Sequence, residues 1–201
     1  MINLDFLNSQ KEVTYNVEDF KGWHKENQFT GDIWNLGKYK WKIEGLKAII
    51  QQLQPKVIFE TGFNVGHSVT AMLNYCNSDC KVYSIDKNEK CKPFGDKLTE
   101  VFPNFELIIG DTVEKLEEIL EEKQLEIDLA FIDGSHHKEP AKNDIGCIQE
   151  YMRFYGCILV DDKRLSGVKF AVIESNWKGY EQIEVPKWDN GGAYLYQKKI
   201  I

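Results

Sequence analysis

The sequence predicts a doubly wound α/β fold, and three observations predict it. Short β-rich runs alternate with stretches of helical spacing, two glycines stand where the first run gives way to a helix, and the chain closes on two β-like runs around an Asn-Gly turn.

From Trp41 the apolar residues Leu46, Ile49, Ile50 and Leu53 recur at helical spacing, and Pro55 stops that helix. Five β-rich runs follow: Lys56 to Glu60, Lys81 to Asp86, Phe105 to Gly110, Ile127 to Asp133 and Gly156 to Asp162. Between them lie helical patterns such as Phe94, Leu98, Val101 and Phe102, then Val113, Leu116, Ile119 and Leu120, then Ala141, Ile145, Ile148 and Met152. Asp111 with Glu114 reads as a helix start of capping-box type, Pro140 suits a first helical turn, and Gly156 reads as a helix stop. β-α units in series require a parallel sheet with right-handed crossovers and helices on both faces. After a helix around Val168 to Ser175, the runs Tyr180 to Val185 and Ala193 to Gln197 are joined through Asp189-Asn190-Gly191-Gly192, so this last pair is expected to be antiparallel. Residues 1 to 40 show no sustained periodicity and are read as an N-terminal extension, a candidate substrate lid, on a single domain spanning 1–201 whose core is 41–201.

Composition bounds the function. A chain of 201 residues builds one well-buried core, and no apolar run approaches the roughly 20 residues that cross a bilayer. The first 20 residues lack a signal-peptide pattern, so a cytoplasmic protein without membrane contact is expected. Five cysteines without a CxxC pair suggest reduced thiols, not a disulfide framework or zinc site. A net charge of -7 disfavours nucleic acid as partner, and the acidic stretch Glu117 to Glu122 reads as a solvated helix face. The expected partner is a small molecule, with a homo-oligomer left open.

Ligands of doubly wound sheets bind where strands end and helices begin, because a helix N-terminus offers free amide hydrogens and partial positive charge. Gly62 and Gly66 stand at that point after the first strand. Asn64 replaces the middle glycine of a dinucleotide-binding turn, which weakens a pyrophosphate reading. Gly62 would allow close approach of a ligand, Gly66 would open the helix, and Ser68 could offer its hydroxyl to an anion there. Asp86 ends the second strand at the distance where an acidic residue meets a ribose.

A second constellation lies further along. The fourth run ends in Asp133-Gly134-Ser135-His136-His137 and the fifth in Asp161-Asp162. Neighbouring parallel strands deliver these carboxylates to one edge, where a divalent metal or basic side chains such as Lys163 and Arg164 must offset their repulsion.

The segment Val57-Ile58-Phe59-Glu60-Thr61-Gly62-Phe63-Asn64-Val65-Gly66-His67-Ser68 resembles the first motif of class I S-adenosylmethionine-dependent methyltransferases. It is closest to small-molecule O-methyltransferases of the catechol and the sugar and macrolide types, and the resemblance spans roughly residues 44 to 199. It implies a Rossmann-like sheet of seven strands, parallel except for an antiparallel C-terminal hairpin strand. It also implies that Glu60, Gly62 and Ser68 surround the methionine part, with Phe63, Asn64 and Gly66 in the same binding turn. Asp86 would take the ribose, and Asp111 with Thr112 would lie near the adenine. Metal-dependent relatives carry an aspartate after the fourth strand and an acidic pair after the fifth, matched by Asp133, Asp161 and Asp162, with magnesium as the implied ion and Asp133 also beside the cofactor. His136 is the implied proton acceptor, His137 its alternative. The acceptor is expected to be a small hydroxylated molecule (phenol, sugar or natural product), with Trp23, Trp34, Trp177 and Trp188 in segments that would line its pocket. Two other readings are kept: a nicotinamide-dependent oxidoreductase on the same kind of sheet, and a cofactor-binding module without catalysis.

Overall fold

A computed structural model describes residues 40–185 and 192–200. The extension, with Trp23 and Trp34, lies outside the described residues, as do Trp188 and the Asp189-Asn190-Gly191 part of the last turn.

Helix α1 (Lys40–Leu53) turns Leu46, Ile49 and Ile50 to the interior and ends before Pro55, through Gln54 at a left-handed φ of 50°. Strands β1 (Val57–Thr61), β2 (Lys81–Asp86), β3 (Phe105–Ile109), β4 (Ile127–Ile132) and β5 (Met152–Val160) alternate with helices α2 (His67–Tyr75), α3 (Lys92–Val101), α4 (Thr112–Glu122) and α5 (Lys138–Tyr151). Helix α6 (Ser166–Glu174) and strands β6 (Tyr180–Ile183) and β7 (Tyr194–Lys198) complete the described chain.

The seven strands lie in the order β3-β2-β1-β4-β5-β7-β6. β1 to β5 pair in parallel, while β7 runs antiparallel to both β5 and β6 and is therefore the one reversed strand. The near-continuous apolar runs of β1 and β4 follow from burial on both faces. Alternate residues divide between two cores: Ile58, Leu129 and Phe131 meet α1, α2 and α3, whereas Phe59, Ala130 and Ile132 meet α4, α5 and α6. Each fully buried Leu, Ile or Phe in these layers contributes about 1.5–3 kcal/mol.

Gly156 is not a helix stop. Helix α5 ends at Tyr151, β5 begins at once, and Gly156 lies inside the strand, where a Cβ would come within 3.0 Å of the Arg153 and Asp128 carbonyl oxygens. The β4–β5 register slips between Ile127, opposite Met152, and Leu129, opposite Cys157. The surplus residues Arg153, Phe154 and Tyr155 bulge outward and are exposed, with Tyr155 at a φ of 66°. Val101 and Val113, counted in the helical patterns, are exposed. All five cysteines are free, and no helix among the described residues is long and apolar enough to cross a membrane.

Candidate active site

The C-terminal ends of the parallel strands form one edge, and backbone hydrogen bonds continue past the strands to align its turns. Gly110 N donates to Asp86 O (2.9 Å), Gly62 N to Ile85 O (2.9 Å), Asp133 N to Thr61 O (3.0 Å) and Asp161 N to Ile132 O (3.0 Å). Sheet order then sets the sequence-predicted residues in a row: Asp111 and Thr112, Asp86, the turn Gly62 to Gly66, Asp133, and Asp161 with Asp162.

The β1–α2 turn is shaped by close approach. Gly62 has a φ of 93°, and a Cβ there would lie 2.3 Å from the Asp133 carbonyl oxygen. The backbone that crowds Gly62 is thus the protein's own β4 turn. Gly66, at a φ of 78°, is the residue before α2, and a Cβ on it would strike the Phe63 ring at 2.7 Å. Asn64 stands at a φ of 52°, a conformation Asn tolerates better than most residues, and donates its N–H to Asp86 Oδ2 (2.8 Å). Asp86 Oδ1 accepts from Asn88 N (2.9 Å), so Asp86 braces two loops while keeping partial exposure and spare lone pairs.

Several members of the turn point inward. The Phe63 ring is buried and stacks on Phe105, with centroids 5.8 Å apart, so a ligand can meet this residue through its backbone only. Ser68, expected to face an anion at the helix start, is buried and donates to Glu60 Oε1 instead. Glu60 is wholly buried, accepts a second hydroxyl bond from Ser84, and is pushed up to about 8 by burial. Asp111 caps α4, accepting from Val113 N (3.0 Å), and its outer oxygen lies 3.7 Å from Lys87 Nζ.

At the other end the expected carboxylates meet. Asp133, His136 and Asp162 each bring a donor atom within 4.8 Å of the others. That set suits a divalent cation, with carboxylate oxygens as hard ligands. Burial and the neighbouring Asp161 charge raise the Asp133 carboxyl well above its ordinary range. His136 Nε2 lies 2.7 Å from Asp162 Oδ2. This hydrogen bond raises the imidazole's pKa and lowers that of Asp162, whose backbone takes a φ of 54° to present its side chain. His137 is the residue before α5, makes no side-chain capping bond there, and is exposed.

A buried cation meets this cluster from outside the Lys163-Arg164 pair. Lys163 lies over the Tyr194 ring at 4.7 Å and Arg164 is exposed. The cation is Lys42 of α1, buried, with Nζ bonded to Asp161 Oδ2. Burial by itself lowers the pKa of the ammonium, but Asp161, Asp133 and Asp162 outweigh it and the net shift is upward. Asp161 Oδ1 accepts from Asp162 N (2.8 Å), so both its oxygens are engaged and it stands apart from the open group. A signal existed in the sequence, since Lys42 precedes Leu46 by four residues on the apolar face of α1.

Two other residues escape a reading of motifs. Gly167 of α6 passes so close to the β4–α5 turn that a Cβ on it would meet the His136 carbonyl oxygen at 2.1 Å. Asp144 of α5 is wholly buried under the edge, neither oxygen making a well-formed hydrogen bond. Burial pushes it up to about 6, and the nearby Thr112 and Thr61 hydroxyls limit the rise. Trp177, expected near the acceptor, is committed to packing: it stacks on Tyr196 at 3.6 Å and donates to Val172 O (2.8 Å).

Comparison with known proteins gives the family and the fold. The family described as "Methyltransferase domain" matches residues 59–163, which include the turn, Asp86, Asp133, His136 and the Asp161-Asp162 pair. No curated protein matches the chain. The solved structure of CalS11, a TDP-rhamnose 3'-O-methyltransferase of calicheamicin biosynthesis, is similar at a TM-score of 0.66 and 17% identity, covering 92% of this chain and 96% of that one. An O-methyltransferase from Bacillus cereus, solved with S-adenosylhomocysteine (SAH), gives 0.69 at 17% identity over 98% and 97% of the two chains. TomG from Streptomyces achromogenes, an O-methyltransferase of tomaymycin synthesis solved with S-adenosylmethionine, gives 0.68 at 15% over 98% and 96%. The chain belongs to the methyltransferase-domain family, and its seven-stranded sheet is the one on which these S-adenosylmethionine-dependent O-methyltransferases are built.

Proposed function

We propose that the chain transfers the methyl group of S-adenosylmethionine to a hydroxyl of a small molecule, assisted by a divalent cation. The observation that carries this reading is the order of residues along the edge. Asp111 and Thr112, Asp86 and the Gly62 to Gly66 turn follow the strand order β3-β2-β1, which is the order adenine, ribose, methionine along the donor, and Asp133 with His136 adjoin them on β4, beside the place where the sulfonium methyl would meet an acceptor. A nicotinamide cofactor has no use for the acidic end of that row, and Asn64 replaces the glycine its pyrophosphate would want.

In this reading Asp86 accepts from the ribose hydroxyls, and free amides at the α2 start hold the carboxylate of the methionine part. Asp133 and the Asp161-Asp162 pair hold the cation, for which magnesium fits the oxygen donors; bound there it would lower the cost of deprotonating the acceptor hydroxyl. His136, made more basic by Asp162, receives that proton. The hydroxyl oxygen forms its bond to the methyl carbon as the carbon–sulfur bond breaks, leaving SAH. The rate gain comes from alignment and fixed charge, since the sulfonium is already activated. CalS11 is a TDP-rhamnose 3'-O-methyltransferase and TomG is an enzyme of tomaymycin synthesis, and both similarities support a sugar or natural-product acceptor.

The test is calorimetry with SAH and with NAD, then turnover on hydroxylated acceptors with and without magnesium. SAH should bind and NAD should not. Asp133→Ala should abolish turnover and leave SAH binding nearly intact; loss of SAH binding in that variant would remove Asp133 from the metal site.

A further inference from the structure

We propose that Lys42 is a tethered cation that competes with the divalent ion for the carboxylate centre, so that tight metal binding requires Lys42 to leave Asp161. The proposal rests on the metal-assisted reading above and adds a residue which that reading does not use.

Three observations carry it. First, the Lys42 ammonium is buried against Asp161 Oδ2, while Asp162 N donates to the other oxygen, so the negative charge of Asp161 is already balanced by a cation as long as Lys42 stays. Secondly, the pair is not a surface decoration: the two side chains are 9% and 1% exposed, and Asp133 and Asp162 also act on the same ammonium. A buried carboxylate stripped of its cation is strongly unfavourable, so whatever displaces Lys42 must itself be positive. Thirdly, Lys42 is in the first turn of α1, whereas Leu46, Ile49 and Ile50 anchor the rest of the helix in the core. The long, flexible lysine side chain can withdraw without unpacking the helix. A monovalent ammonium on a stem and a divalent ion from solution therefore draw on the same cluster of carboxylates from adjacent positions, and their positive charges repel in a partly buried site.

The consequence is a linkage between α1 and metal occupancy. With Lys42 in place, only Asp133, His136 and Asp162 remain open to a cation, and binding is weak. With Lys42 gone, the Asp161 charge is left for the ion to balance and binding tightens.

Mn2+ binding to the full chain, followed by electron paramagnetic resonance, tests this on the parent, Lys42→Met, Lys42→Arg and Asp133→Asn. Lys42→Met should bind Mn2+ at least tenfold more tightly than the parent, Lys42→Arg should not, and Asp133→Asn should lose binding. Independently of any variant, labelling of Lys42 by an amine-reactive reagent, read by mass spectrometry on the parent, should increase several-fold when Mn2+ is added. Equal affinity in the parent and Lys42→Met, or Lys42 labelling unchanged by bound Mn2+, overturns the proposal and leaves the metal reading standing. No Mn2+ binding by any form, with SAH still bound, overturns both while sparing the methyltransferase assignment.

Discussion

The turn after β1 and the acidic end of β4 and β5 stand side by side on one edge, and they are held by different forces. The first is fixed by backbone geometry: positive φ at Gly62, Asn64 and Gly66, a main-chain contact with the β4 turn, and neutral hydroxyls closing on Glu60. The second is fixed by opposed charge: Lys42 on Asp161 and His136 on Asp162. Shape that depends on sterics is indifferent to pH and salt, whereas a charge balance can be shifted by a proton or an ion. The β1 turn is thus held mainly by shape, with the buried Glu60 as its titratable member, and the acidic end by an adjustable balance of charge.

Substitutions can break this contrast, and the largest effect is expected on the steric side. Gly62→Ala adds a Cβ 2.3 Å from the Asp133 carbonyl oxygen at a φ of 93°, and should cost about 3–5 kcal/mol in denaturant unfolding, with SAH binding lost. A cost below about 1 kcal/mol would show that the two turns are not locked together. Next is Gly167→Ala, whose new methyl must push back the His136 carbonyl oxygen now 2.1 Å from its site. A displacement on the order of an ångström should lower turnover roughly 10²-fold with SAH affinity unchanged, as kinetics beside calorimetry would reveal.

Asp144 sharpens the contrast, because it is a charge placed in the steric half. Its folded-state pKa of about 6 lies above the ordinary 3.8, so the folded protein holds the proton more tightly than the unfolded chain. The penalty is absent below pH 3.8, grows as pH rises, and is complete above 6. Asp144→Asn should remove it, stabilising the protein by about 3 kcal/mol at pH 7 and flattening that part of the pH profile in urea unfolding.

The smallest effect belongs to the His136–Asp162 pair, which is partly exposed and contributes less than about 1 kcal/mol. The raised histidine contributes fully below its unfolded pKa of 6.5 and loses that contribution as pH rises through its folded value. The lowered aspartate contributes above 3.8 and loses it as pH falls. The pair is therefore strongest between those limits, and an NMR titration of His136 should shift downward in Asp162→Asn.

Regular alternation made the sheet legible, since period and punctuation are local properties of the chain. β2 was bounded to the residue, and the other strand limits moved by a few positions, most of all β5, where a bulge outside the two-residue period carried the strand back to Met152. The convergence of Asp133, Asp161 and Asp162 was also legible, because parallel strands share an edge. Partnerships were not. Lys42 and Asp161 are 119 residues apart, and their meeting is a property of helix placement. Ser68 and Phe63 were read as ligand-facing from their motif, yet which way a side chain points from a turn depends on neighbours such as Glu60 and Phe105.

The contact between Gly62 and the Asp133 carbonyl gives the site a fixed ruler. On the proposed reading, the turn that meets the donor and the turn leading to His136 touch main chain to main chain at this contact, with no side chain between them to lengthen or shorten. The distance between the two turns is thus set by backbone, and acceptors of different size would have to be accommodated elsewhere along the edge.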